Sequence, residues 1–407
     1  MNKSLWSEPQ FHGYLGSTGF SGMAFAMQQL LLNWILVGVL ELPANQVGLI
    51  QAMIGIPGVF LMLMGGASAD RTDPRRLLLK VYLLGPVFPA FLALVAWHQG
   101  LTVWSVIIWG LGMSVVQAFS LPAQQAILNK IAGQHVQRAV TAATSIGFVV
   151  QIAGLAIAGQ IDTLGISWVL TCQAVVLLCS SFTVLLIEPM PRAADANQGS
   201  ALQGIVQGLH ATYENKVVFQ TLAINFASTI FNAGSFMTVF PFIVKRVYAG
   251  DAVDLALLMG IFFAGAAMSN AILLRFQPLL RVGRLFLIMQ LSRIIVLALL
   301  YIKGDWWLLA LASILWGLNM GITSNLARAI VQEGAGAAYR GRIMAVFSIT
   351  LMGSAPIGAI ILGYLIEFVG TLEALWPAMM LSAVLFIYGY FFSDVWGYHS
   401  QVDQQKA

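Results

Sequence analysis

Twelve long apolar runs constrain the fold of this chain more than any other feature of its sequence. A membrane-spanning helix needs about 20 mostly apolar residues, and each run is long enough to provide one. The chain is 59% hydrophobic and 9% charged, whereas a soluble domain is about 25% charged. Because the runs are continuous rather than alternating in polarity, they exclude a membrane barrel and predict an all-α membrane protein with twelve transmembrane helices. The runs are 14–38, 45–69, 77–97, 102–125, 138–162, 166–187, 217–245, 252–274, 284–302, 306–330, 342–366 and 371–393.

Positive charge is distributed unevenly between the loops. Most of the 20 lysine and arginine residues lie on the side of both termini, whereas Lys245, Arg246 and Lys303 lie on the other side. The positive-inside rule therefore predicts that both termini are cytoplasmic. The net charge of +4 comes from lysine and arginine residues concentrated on one side of the membrane, so it does not indicate binding of nucleic acid. We expect a lipid bilayer as a partner and no nucleic acid. The first run is too long for a signal peptide and is predicted to remain as an anchor.

The two halves of the sequence resemble each other. The segment Trp-Gly-Leu-Gly-Met at 109–113 recurs as Trp-Gly-Leu-Asn-Met at 316–320. Further pairs follow at nearly the same spacing, namely Arg138 and Arg342, Gly154 and Gly358, and Gly159 and Gly363. An even number of helices precedes the second copy, so the copies form a parallel repeat. We predict six-helix bundles at 1–187 and 217–407, joined by a cytoplasmic linker at 188–216 that contains an interfacial helix.

The densest charge in the chain lies between the second and third runs, at 66–76. The chain has twelve predicted helices, a parallel repeat and a long central loop. Together with the stretch at 66–76, these features resemble the major facilitator superfamily. Gly66, Asp70 and Arg71 match the signature loop of that superfamily. Asp73 stands where the superfamily has glycine, and Pro74 replaces a usual basic residue. An aspartate there, with the Arg-Gly-Arg turn at 340–342, resembles the drug- and siderophore-exporter branch, which includes macrolide and enterobactin exporters.

The resemblance implies that the loop forms a conformational clasp at the cytoplasmic ends of the bundles. A carboxylate there is favoured by the amide groups and the dipole of a neighbouring helix N-terminus. The second copy of the loop has Leu280 in place of the acid, so we expect the clasp on one side only. The alternative is a plain positive-inside anchor, which we favour for Arg75 and Arg76. The predicted clasp residues are Gly66, Asp70, Arg71, Arg138 and Arg342.

The resemblance also implies that the first, fourth, seventh and tenth helices line a central cavity. The seventh run carries polar residues with the spacing of a single helical face, at positions 225, 228, 229, 232 and 235. A neutral, polar and aromatic cavity suits an uncharged or amphiphilic organic solute. The alternative is that these groups only form hydrogen bonds between helices, and each such bond contributes about 0.6 kcal/mol of stability. The predicted cavity residues are Gln29, Asn33, Gln117, Asn225, Thr229, Asn232, Asn319 and Thr323.

Few ionisable residues lie inside or at the ends of the runs, and such residues are functional candidates. Arg293 lies deep in the ninth run. It is either a buried hydrogen-bond node or substrate contact, or a snorkelling side chain or tie to a neighbouring helix. Glu41, Asp162 and Glu367 lie near the predicted outer side. Glu41 is the candidate for proton coupling, or else an ordinary solvated helix end, and no acid lies midway along a predicted lining helix.

Other chemistries lack the residues they need. The sequence has no phosphate-binding glycine loop, no His/Cys cluster with metal-ligand spacing and no nucleophile–base set, so we expect no catalytic residue, cofactor or metal. We predict a monomeric secondary transporter in a bacterial inner membrane. We expect it to export a small organic or amphiphilic solute by alternating access, as a proton-driven efflux antiporter. An uptake permease, a lipid flippase and a non-transporting membrane sensor remain as alternatives.

Overall fold

The chain folds into long helices throughout the part that the structure describes. The computed structural model describes all residues except 1–7, 134–135, 191–200, 277, 337–338 and 401–407, and it describes no side chains at 67, 70, 71, 136–138, 201–203 and 205. Within this part, twelve helices are long and apolar enough to cross a membrane. Every regular element there is a helix, which confirms the predicted all-α membrane fold.

We number the twelve spanning helices α1 to α12 and call Ala201–Glu214, between α6 and α7, the connector helix. Several spans are not one continuous α-helix: α1 ends in a π-helical turn, α3 is broken before Val87, α5 ends in a separate short turn, and α7 contains two π-helical turns. The bounds are α1 Pro9–Trp34 with Ile35–Val39, α2 Ala44–Arg71, α3 Pro74–Leu84 with Val87–Trp97, α4 Val103–Ala132, α5 Val136–Ala158 with the turn Ile161–Leu164, α6 Ile166–Val184, α7 Lys216–Gly234 with Ser235–Val239, Phe240–Phe242 and Ile243–Val247, α8 Ala252–Arg275, α9 Val282–Tyr301, α10 Trp306–Gly334, α11 Arg340–Val369, and α12 Trp376–Phe391 after the short turn Glu373–Leu375.

Most helix ends agree with the predicted runs, and the main difference is at the end of α4. This helix extends to Ala132, beyond the predicted end at 125. Residues 126–132 contain lysine and asparagine, which shorten an apolar run, but alanine, leucine and lysine are good helix formers. The helix ends where Gly133 takes a φ of 50°, a conformation that glycine adopts at little cost.

The helices form two compact units. Unit 1 comprises Met1–Leu42, Met53–Gln198 and Gly250–Gly260, and unit 2 comprises Pro43–Ala52, Gly199–Ala249 and Ile261–Ala407. The first turns of α2 therefore pack with unit 2, and the first turns of α8 pack with unit 1. We call 43–52 and 250–260 the exchanged segments. The bundles predicted from the sequence assign α2 and α8 each to a single bundle, whereas the two units divide both helices. The predicted bundle boundaries therefore remain a prediction.

Equivalent glycines bring helices together in both units. In unit 1, a Cβ at Gly154 on α5 would lie 2.5 Å from the carbonyl oxygen of Met23 on α1. In unit 2, a Cβ at Gly358 on α11 would overlap the carbonyl oxygen of Ile230 on α7. Small residues permit this close approach between membrane helices. The equivalence supports the internal repeat that the sequence indicates.

Segments outside the spans pack on unit 2. A Cβ at Gly208 of the connector helix would lie 2.6 Å from the carbonyl oxygen of Arg342, at the start of α11. After α12, Ser400 donates hydrogen bonds to Glu333 on α10, at 3.0 Å, and to the carbonyl oxygen of Leu280. Burial, together with the nearby Glu333, raises the pKa of Tyr398 to about 12. The phenol therefore stays protonated and can donate to Glu333.

We expect Gly358→Ala to lower the thermal unfolding midpoint of the purified protein in detergent. The new methyl group must push the α7 backbone away, and overpacking of this kind costs about 1–3 kcal/mol. Gly353→Ala on the same helix is the matched control, because no atom lies within 4 Å of a Cβ at that position. Equal midpoints for the two variants would contradict the close approach of α7 and α11.

Candidate functional site

A buried arginine joins three helices of unit 2. Arg293 on α9 is 3% exposed. Its guanidinium donates to Asn319 Oδ1 on α10 through Nε and Nη2, both at 3.3 Å, and to Gln290 Oε1 at 3.1 Å. It also donates to the hydroxyl of Ser228 on α7. The arginine is thus buried and tied to two neighbouring helices rather than snorkelling, and its contact with substrate remains a prediction.

The guanidinium of Arg293 bonds only to neutral acceptors among the residues that the structure describes. Among the residues that the structure describes, no carboxylate forms an ion pair with Arg293. A buried charge costs several kcal/mol to desolvate, and hydrogen bonds to a charged donor are stronger than neutral ones. Neither Asn225 Nδ2 nor Gln290 Nε2 has an acceptor in the described part of the chain, although both are buried. The cluster therefore contains more donors than acceptors.

Most predicted cavity residues on α7 and α10 bond to unit 2 itself. Trp316 Nε1 donates to Asn232 Oδ1 at 2.6 Å. The hydroxyls of Thr229 and Thr323 donate to the carbonyl oxygens of Asn225 and Asn319, both at 2.7 Å. Trp316 also packs against three phenylalanine rings, with ring centroids 5.6–5.7 Å apart, at positions 236, 240 and 262. Of these contacts, only the one between Asn232 and Trp316 joins two helices, because each threonine bonds within its own helix. The lining of a cavity by this face of α7 remains a prediction.

Two predicted cavity residues of unit 1 keep free amide groups. Gln117 on α4 is exposed and Gln29 on α1 is partly exposed. Neither side chain has a hydrogen-bond partner in the part of the chain that the structure describes. Asn33, by contrast, is 3% exposed and has a partner. An amide without a partner is costly in hydrocarbon, so Gln29 and Gln117 suit a surface that meets water or a polar solute.

Most of the predicted clasp lies outside the described side chains. This applies to Asp70, Arg71 and Arg138, so the clasp remains a prediction. No described atom lies within 4 Å of a Cβ at Gly66, so packing against the described residues does not require glycine there. The guanidinium of Arg342 lies 5.5 Å from the ring centroid of Tyr339, a cation–π distance.

Asp73 has a structural role that the sequence reasoning missed. Its Oδ1 accepts hydrogen bonds from the backbone N–H groups of Arg75, at 2.9 Å, and Arg76, at 3.4 Å. Its Oδ2 accepts the N–H of Met190, which follows α6. Asp73 is thus the N-cap of α3, with Pro74 at the first helical position. The Asp-Pro pair in the sequence could have indicated this cap, because both residues favour the start of a helix.

The three acids near one end of the helices differ in their contacts. Glu41 is exposed, has a φ of 48°, and receives no hydrogen bond from the described residues. Asp162 and Glu367 each accept a backbone N–H from another helix. No group of His, Cys, Asp and Glu in the described residues could hold a metal ion.

Solved transporter structures share this fold. A mutant form of the nucleoside transporter NupG has a TM-score of 0.74 at 18% identity, over 93% of this chain and 99% of its own. A POT family transporter in complex with 5-aminolevulinic acid has a TM-score of 0.74 at 13% identity, over 97% and 100%. A bacterial homolog of the human lysosomal transporter Spinster has a TM-score of 0.65 at 13% identity, over 96% of each chain. The fold is that of major facilitator transporters.

The sequence match is more specific than the fold. Residues 10–397 match the family described as transmembrane secretion effector, so the chain belongs to that family. A search of curated proteins gave no match.

We expect Arg293→Ala to destabilise unit 2, because Ser228, Gln290 and Asn319 lose their shared donor. Hydrogen bonds to a charged group contribute about 1.5–3 kcal/mol each, so the unfolding midpoint should fall clearly. Arg293→Lys should give an intermediate midpoint. The lysine ammonium keeps the positive charge but cannot place N–H donors as the planar guanidinium does. Lys303→Ala, at an exposed residue beyond α9, is the control. An Arg293→Ala midpoint equal to that of the control would contradict the node.

Proposed function

We propose that this membrane transporter of the major facilitator type exports a small organic or amphiphilic solute. The match to the transmembrane secretion effector family carries the proposal of export. In this proposal the protein acts as a monomer in a bacterial inner membrane, with both termini in the cytoplasm, and performs no catalysis. One solute site opens alternately to the two sides of the membrane.

The free amides of Gln29 and Gln117 support an uncharged polar recognition surface on unit 1. An amide side chain both donates and accepts hydrogen bonds without carrying charge, so it can bind hydroxyl, carbonyl or amide groups of a solute. Asn232 and Asn319, which bond to Trp316 and Arg293, then act mainly by holding the surrounding helices in place. Asn33, Asn225, Thr229 and Thr323 stay in the proposal as further lining residues. This division of roles is part of the proposal.

We propose proton antiport as the source of energy. No acid lies midway along α1, α4, α7 or α10, so a proton must bind nearer a helix end. Glu41 is accessible to solvent and is the candidate proton carrier. The Asp70 clasp would close the cytoplasmic side. The sequence of the 66–76 loop supports placement near the drug- and siderophore-exporter branch.

Uptake is the second candidate function. It is favoured by the structural similarity to a nucleoside transporter and to a POT family transporter that binds 5-aminolevulinic acid. The two candidates share the site on unit 1 and differ in direction and coupling. They are therefore separated by flux measurements rather than by binding.

A binding screen on the purified protein tests the site. A ligand at 100 times its Kd stabilises the folded state by about 2.7 kcal/mol, which a thermal shift detects. We expect Gln117→Ala to weaken the binding of a hit by about tenfold, because one hydrogen bond of ordinary strength is lost. Val115→Ala, at a nearby exposed residue of α4, should bind as the unsubstituted protein does. Equal affinity in both variants would refute the assignment of Gln117.

Flux in proteoliposomes tests direction and coupling. For a proton antiporter, a gradient that drives protons in one direction should drive the hit in the opposite direction. Movement in the same direction as the protons would indicate uptake by symport, and equal movement without a gradient would remove proton coupling. Asp70→Asn should reduce flux while leaving the thermal shift intact, because the predicted clasp acts on conformation rather than on binding.

A further inference from the structure

Two asparagine side chains of unit 2 form an exposed hydrogen-bonded pair. Asn270 lies near the end of α8, and Asn325 lies in the second half of α10. Asn325 Nδ2 donates to Asn270 Oδ1 at 2.7 Å and to the carbonyl oxygen of Gly321, one turn earlier on α10, at 2.9 Å. Both asparagines belong to unit 2. We call these two side chains the amide pair.

The hydrogen bonds fix the orientation of both amide groups. The carbonyl oxygen of Gly321 can only accept, so it must face the Nδ2 of Asn325. That nitrogen carries two hydrogens, one for Gly321 and one for Asn270, so the Oδ1 of Asn270 must face it as well. The oxygen Asn325 Oδ1 and the amino group Asn270 Nδ2 are left over, and neither has a partner among the described residues.

Close packing between α8 and α10 holds the amide pair in place. A Cβ at Gly321 would overlap the hydroxyl of Ser269, the residue before Asn270. A Cβ at Gly317, one turn earlier, would overlap the carbonyl oxygen of Phe262 on α8. Small residues thus bring the two helices together through backbone contacts. The amide pair therefore lies on a rigid support, which is what precise recognition of a ligand requires.

The amide pair lies on a surface that suits water rather than lipid. Asn325 is exposed and Asn270 is partly exposed. Arg328 and Gln332 follow three and seven residues after Asn325, on the same face of α10, and both are exposed. Exposed amide and guanidinium groups along one face are costly in hydrocarbon. The two free groups of the amide pair are therefore available to a polar group of a solute.

The two free groups match the edge of a cis amide. The amide pair offers a donor beside an acceptor, so a ligand that uses both must offer an acceptor beside a donor. In an ordinary peptide group the N–H and the C=O point in opposite directions, because that group is trans. In a lactam or a cyclic dipeptide the ring holds the amide cis, and both groups lie on the same edge.

We propose that the amide pair binds the cis-amide edge of an uncharged solute, such as a lactam or a cyclic dipeptide. Asn325 Oδ1 accepts the N–H of the solute, and Asn270 Nδ2 donates to its carbonyl oxygen. The inference rests on the proposed function for one point, that the bound group belongs to a transported solute. It narrows the substrate class to compounds with such an edge. The competing role for the amide pair is a hydrogen bond that only joins α8 to α10.

Calorimetric titration of the purified protein with three related probes tests the proposal. The first probe is the cyclic dipeptide of glycine and phenylalanine, which has cis amides and no charge. The second is its N,N′-dimethyl derivative, which lacks the N–H donors. The third is N-acetylphenylalanine N-methylamide, an open-chain compound with trans amides. We expect the second and third probes to bind about tenfold more weakly than the first, because each loses one hydrogen bond to the amide pair.

Substitutions separate recognition from a bond that only joins helices. Asn270→Asp keeps the oxygen that accepts from Asn325 but removes the free donor. The thermal midpoint should therefore hold, while the affinity for the cyclic dipeptide falls about tenfold. Asn325→Ala removes the free acceptor, so the preference for the cyclic dipeptide over its dimethyl derivative should disappear. Gln332→Ala, at an exposed residue on the same face of α10, is the matched control and should keep both the affinity and the preference.

Each contrary outcome overturns the proposal. Equal affinities of the unsubstituted protein for the three probes, or no binding of the cyclic dipeptide, would do so. A lower midpoint with unchanged affinity in Asn270→Asp would show that the amide pair only joins helices. If Asn325→Ala does not purify as a folded protein, Asn270→Asp decides.

The outcome is independent of the tests of the proposed function. The binding screen and the flux measurements use whichever solute the screen finds, so failure of the cyclic dipeptide to bind would leave the proposed export untouched. Absence of flux would likewise leave the three affinities measurable.

Discussion

The hydrogen bonding of the backbone in lipid is the requirement on which the rest of this structure depends. A hydrocarbon layer offers no partner for a free N–H or C=O group, so each span is a helix, and the N–H and C=O groups at its ends must bond to water or to a cap. Several caps are local, such as Thr102 with Ser105 before α4 and Asn215 before α7. Asp162 and Glu367 instead cap helices that are distant in sequence. A local cap stabilises one helix, whereas a remote cap also determines what that helix packs against.

The same requirement explains how the polar side chains divide into two groups. On α7 and α10 most of them bond to one another, to Arg293 or to nearby carbonyl groups. Gln29 and Gln117 have no such bond among the described residues and would be costly against lipid. A polar residue in a span is thus either bonded within the protein or available to bind something else. The two free glutamines are the stronger candidates for contact with a solute.

The sequence predicted the number, type and approximate limits of the helices, because a span needs a minimum length of apolar residues whatever its neighbours are. It also placed Arg293 deep within a span. It could not identify the partners of Arg293, because those depend on packing between helices far apart in sequence. The spacing on α7 showed that its polar residues share a face, but not whether that face meets protein or cavity. The exchanged segments were missed for a similar reason, since hydrophobicity does not show that one helix packs with two units.

The repeat gives the two units similar helices but different chemistry. In unit 1, Gln124 donates to Ser21 and Tyr82, and this cluster of α1, α3 and α4 is neutral. The corresponding helices of unit 2 are joined by Arg293, a full charge. Charge-assisted hydrogen bonds are stronger than neutral ones, so the two clusters differ in the strength of their bonds although they join equivalent helices. The glutamine amides without a partner among the described residues lie on unit 1. The repeat thus preserves the two remote caps, while the interior chemistry has diverged.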